Sequence, residues 1–153
     1  MNERRGAGMK PVDFAKAAGI AAAVLILDLL VAIAVVYAWS IFVAPGHTRT
    51  YYETAGVPLA LVCTRIVGTA LTFAACWWCA RRNPQRNALA FALTVVICYG
   101  LLDVATGGFK GFVTLGFGIT MLLKLVAGLA GAQLAVKFRP NAPRAMLQPP
   151  MRT

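Results

Sequence analysis

Apolar residues fall along this chain in four long blocks, separated by short stretches in which charged residues, Pro and Gly collect. The first block covers residues 15–44 and carries only Lys16 and Asp28 as charges. As a helix rising 1.5 Å per residue it would measure about 40 Å. That exceeds the ~30 Å hydrocarbon core of a bilayer, so the pattern predicts a helix that tilts or begins in the interface. Pro45-Gly46 closes it, and Tyr37 and Trp39 sit near that end, where amphipathic rings favour the membrane–water boundary. Residues 47–55 follow, with Thr50 and Glu53 at the spacing of a capping box, which predicts a short interfacial helix.

Pro58 opens the second block, residues 58–80. A basic turn of Arg81, Arg82, Asn83, Pro84, Gln85 and Arg86 leads to the third, residues 87–106, the shortest, which must include Asp103. Gly107, Gly108, Lys110 and Gly111 make a second turn before the fourth block, residues 112–136. Residues 1–14 form a polar, basic leading segment, and Pro11 suits the first turn of a helix. Residues 139–153 hold four prolines and no apolar periodicity, the composition of a disordered tail. The expected fold class is all-α: an integral membrane four-helix bundle with antiparallel, up-and-down connectivity.

Composition agrees with lipid as the solvent. The chain is 59% hydrophobic and 13% charged, with mean hydropathy +0.71. A soluble domain carries about a quarter of its residues as charges. The net charge of +10 does not point to nucleic acid, because the basic residues flank the apolar blocks and do not stripe one face among aromatics. They read as orientation signals and as contacts to anionic lipid at the cytoplasmic face. Arg4 and Arg5 precede an apolar run about twice the length of a signal-peptide core, so the first block is retained as a span.

Orientation follows from where Lys and Arg lie. The leading segment and the edge of the first block hold Arg4, Arg5, Lys10 and Lys16; the second loop holds Arg81, Arg82 and Arg86; the end of the fourth block and the tail hold Lys137, Arg139, Arg144 and Arg152. The first and third loops carry only Arg49 and Lys110. Eleven basic residues against two put both termini in the cytoplasm by the positive-inside rule, in a bacterial-type inner (plasma) membrane.

Apart from Lys16 at the edge of the first block, four charges fall within the apolar blocks: Asp28, Arg65, Asp103 and Lys124. A lone charge at mid-membrane costs about 2.5–3.5 kcal/mol even on the lenient insertion scale, and an opposite charge beside it offsets this. Matching heights along the spans predicts two pairs, Asp28 with Lys124 near the mid-plane and Arg65 with Asp103 in the outer half. Small residues recur at four-residue spacing as Thr64, Gly68 and Thr72, and as Ala127, Gly131 and Ala135. Such ridges let helices approach closely, in one chain or between chains.

Cys76-Trp77-Trp78-Cys79 is a C-x-x-C motif, which can form a redox or metal pair. Four-helix quinone-linked disulfide enzymes contain such a motif, but on the oxidising side, whereas Arg81 and Arg82 place this one at the reducing cytoplasmic face. Cys63 lies about 20 Å along the helix from Cys76, so one tetrahedral site cannot gather the four cysteines. The expectation is small buried apolar residues beside a Trp77/Trp78 interface belt. His47 is the only histidine, and no nucleotide loop, catalytic triad or metalloprotease motif is present. No cofactor is expected.

Two functions remain. The first is a small non-enzymatic inner-membrane protein that acts as an accessory subunit of a larger complex or as a homo-oligomer. The alternative is an oligomeric proton-coupled small-solute transporter using Asp28. In architecture alone, a mid-span acid on the first of four helices is similar to the small multidrug transporters, although residues 25–30 do not reproduce that family's pattern. A thiol oxidoreductase built on Cys76 and Cys79 comes third.

Overall fold

The computed structural model describes residues 11–83, 87–107 and 115–138. Among the described residues there are four α-helices and no strand: α1 Pro11–Phe42, α2 Arg49–Arg82, α3 Ala88–Gly107 and α4 Leu115–Lys137. All four are long and apolar enough to cross a membrane. Residues 1–10, 84–86, 108–114 and 139–153, on which fall the expected leading segment, parts of the two expected turns, the expected start of the fourth span and the expected tail, lie outside the described residues.

The largest departure from the sequence pattern is α2. Pro58 does not open it; the helix begins at Arg49 and runs through Pro58 without a break. A proline inside a helix removes one backbone donor. Membrane helices tolerate this where Ser or Thr side chains and local adjustments satisfy the freed groups. Here the missing donor deprives the Thr54 carbonyl of its usual helical partner, and the Thr54 hydroxyl itself reaches back to the carbonyls of Thr50 and Tyr51, each at 3.0 Å. The early start also dissolves the expected capping box. Thr48 is the N-cap and makes no side-chain cap bond, so Thr50 lies inside the first turn. Glu53 pairs instead with Arg49.

Pro45 and Gly46 turn the chain between α1 and α2, with Gly46 in the left-handed region at φ 81°. Aromatic rings close over this end. Tyr51 stacks between Trp39 and His47, and the Tyr52 hydroxyl donates to the Ala44 carbonyl at 2.6 Å. At the opposite end, Arg81 and Arg82 lie over the rings of Trp77 and Trp78, 5.0 and 4.8 Å from the ring centroids.

The helices do not pack in chain order. α1 contacts α2 and α3, while α4 contacts α2 and α3, so the circuit is α1–α2–α4–α3. The consecutive helices α2 and α3 face each other across the shorter diagonal and touch less than the side-by-side pairs, and the backbones of α1 and α4 are opposed across the longer one, out of contact among the described residues. Gly56 meets Val36 and Gly68 meets Asp28, so α1 and α2 run antiparallel. Gly68 meets Lys124 and Gly131 meets Phe73, so α2 and α4 run parallel. The buried face of α1 is a stripe of Ala17, Ala21, Val24, Asp28 and Ala32, and that of α2 repeats every four residues as Gly68, Thr72, Cys76 and Ala80. Large aliphatic side chains point outwards, Ile66 and Leu101 each with 67% of their surface exposed. Bulk outside and small residues inside is the arrangement that suits helices surrounded by lipid.

Candidate functional site

The centre of the bundle holds the charges. Asp28 and Lys124 are 2% and 1% exposed, and Tyr99, also 2% exposed, lies between them. The Tyr99 hydroxyl donates to Asp28 Oδ2 at 3.0 Å and accepts from Lys124 Nζ at 2.6 Å. Lys124 Nζ stands 3.5 Å from the same Asp28 oxygen and 4.0 Å from the centroid of the Tyr99 ring. The remaining helix, α2, contributes by having no side chain there: a Cβ on Gly68 would lie 2.6 Å from Asp28 Oδ2 and 2.9 Å from Lys124 Cε. Each helix therefore supplies one member of a single node.

The local reasons are plain. Asp28 and Lys124 lie on opposed helices, and the long lysine side chain spans the distance that the backbones leave. Tyr99 reaches the axis from α3 with both a ring and a hydroxyl, so it shares the ammonium charge while donating to the carboxylate. Burying two charges costs several kcal/mol per ion unless geometry and further hydrogen bonds compensate. Here the compensation is unequal: Asp28 Oδ2 has two donors, and Asp28 Oδ1 is buried with no hydrogen-bond partner.

No protein-family model, curated protein or solved structure matches the chain. The site is therefore judged on its own geometry.

Of the four charges within the apolar blocks, the structure brings Asp28 and Lys124 together and does not bring Arg65 to Asp103. Height matching alone is insufficient, because α2 and α3 are opposed across the bundle and not side by side. Asp103 lies one turn beyond Tyr99 on α3 and is half-buried. Among the described residues no ion pair joins Arg65 to an acid.

Cys76 and Cys79 form no disulfide, Cys76 being buried beside Gly128 and Cys79 half-buried. Among the described residues no cluster of three or more His, Cys, Asp or Glu side chains could hold a metal ion. His47 is exposed and stacked on Tyr51, ring centroids 4.0 Å apart.

Sequence reasoning missed two members of the node, Tyr99 and Gly68. Tyr99 carries a signal, being a tyrosine close to the midpoint of an apolar block and therefore level with Asp28 and Lys124. Gly68 was assigned to a helix-packing ridge; that the ridge also makes room for a carboxylate could not be read without its neighbours.

Proposed function

We propose that the chain is a multi-pass protein of a bacterial-type inner membrane, with both termini cytoplasmic, that acts without catalysis as an accessory or self-associating subunit. The observation that carries this reading is the enclosure of the Asp28–Tyr99–Lys124 node. A proton- or solute-coupling acid needs access to water in at least one state, and this carboxylate is buried against an ammonium at the centre of the bundle. The node instead suits a fixed role, joining four helices at one height. The outer surface then offers apolar side chains for helix association.

A second reading keeps Asp28 as the coupling group of an oligomeric proton-driven transporter. Its support is the buried Asp28 Oδ1, which lacks any partner.

Native mass spectrometry of the gently solubilised full chain separates the two when combined with a liposome assay. The accessory reading expects a discrete homo-oligomer or a stoichiometric partner. It also expects proton uptake in reconstituted liposomes no faster than in empty ones. A Asp28→Asn variant that abolished a proton flux present in the parent protein would contradict it.

A further inference from the structure

On the outward side of α1 and α2 the two helices border a groove of about 520 Å³. Its inner end is lined by Leu29, Ile33 and Val36, and its other end by Ser40, Tyr52 and Glu53. Leu29 and Ile33 are each more than half exposed, so the groove opens to the surroundings of the bundle and not to its core. From Leu29 to Ser40 the helix rises about 17 Å, and one leaflet of hydrocarbon is about 15 Å deep. The groove thus has the length of one leaflet, with aliphatic walls at mid-membrane depth and hydroxyl and carboxylate groups at the interface.

The polar end carries both signs of charge. Glu53 lines the groove, and Arg49, one turn earlier on α2, bonds through Nε to Glu53 Oε1 at 2.8 Å. Both side chains are largely exposed, 92% for Arg49 and 60% for Glu53. The start of α2 lies beside them with no side-chain cap on its first turn, and helix N-termini favour phosphate. A zwitterionic head complements the carboxylate and the guanidinium at once, which neither an anionic head nor an apolar helix face does.

We propose that this groove binds one phospholipid with a zwitterionic head, its acyl chain lying between α1 and α2. The ammonium sits at Glu53 and the phosphate at Arg49 and the first turn of α2. The proposal rests on the reading that these helices lie in a bilayer.

The test uses the full chain, washed in alkaline carbonate while still in membranes, then purified in mild detergent. It is equilibrated with equal amounts of phosphatidylethanolamine and phosphatidylglycerol bearing identical chains, and examined by native mass spectrometry. One phosphatidylethanolamine per chain, in excess over phosphatidylglycerol, is expected. Ala60→Phe, which fills the inner groove, should remove that adduct with helical circular dichroism unchanged. Glu53→Gln, at an exposed position that does not bear on folding, should lower the preference roughly two- to fivefold, the range of an exposed ion pair. Equal retention of the two lipids, a preference untouched by Glu53→Gln, or a second copy occupying the groove would overturn the proposal. Release of the chain by carbonate would instead overturn the membrane reading itself, before any lipid is added.

Discussion

Asp28 offers one oxygen to two donors and the other to none, so its stability in the bundle depends on very few contacts. The closest approach in the node is between Tyr99 and Lys124, at 2.6 Å, while the direct Lys124–Asp28 distance is 3.5 Å. Tyr99 is therefore the bridge of the node, and its hydroxyl is worth more than that of an isolated tyrosine. Hydrogen bonds to charged groups contribute about 1.5–3 kcal/mol. Tyr99→Phe keeps the ring and its packing and removes only the bridge. It should lower stability in detergent by about that amount, read from denaturant titration of helical circular dichroism. No loss would mean that Lys124 and Asp28 hold each other unaided. Asp28 and Lys124 were legible as a pair from charge and height alone, whereas the bridging oxygen was hidden in a residue type that usually marks the interface.

Among the elements, the closest packing lies between α2 and α4. A Cβ at Gly131 would stand 2.5 Å from the Phe73 carbonyl oxygen, a backbone atom that cannot swing aside, whereas a Cβ at Gly118 on the same helix meets nothing within 4 Å. Gly131→Ala should force the helices apart and cost about 1–3 kcal/mol, as overpacking does. Gly118→Ala should be neutral or stabilise by up to about 1 kcal/mol through helix propensity. Thermal denaturation of the two variants side by side checks this, and equal effects would contradict the close approach. The ridges Gly68/Thr72 and Gly131/Ala135 were readable as packing faces from their spacing, since one residue in four returns to the same side of a helix. Their partner was not readable. Spacing fixes the face a helix buries but not which neighbour covers it, and the brief connection between α2 and α3 does not compel those two helices to lie side by side. The expected Arg65–Asp103 pair failed for that reason. The extension of α2 to Arg49 is not legible from Pro58, because a single proline weakens an apolar helix without obliging it to stop.

For the whole molecule, the number of apolar helices was the most legible feature, because four blocks of this length have few alternatives to spanning helices. Orientation rests on the distribution of Lys and Arg. In a background without the native cysteines, Thr48→Cys and Asn83→Cys place exposed thiols at the two ends of α2. An impermeant reagent applied to intact cells should label the first and spare the second, and the reverse pattern would invert the proposed topology. The central claim is that Asp28 and Lys124 stabilise the bundle as one unit, because four helices meet at their node. It is tested most directly by a double-mutant cycle of Asp28→Asn, Lys124→Met and the two together, measured as unfolding free energy in detergent. Each single change strands a partner in the core and should cost about 3–5 kcal/mol, the cost of breaking a buried pair. The double change should cost less than the sum of the singles by well over 1 kcal/mol, the signature of coupled neighbours. Strict additivity of the two substitutions would contradict the account.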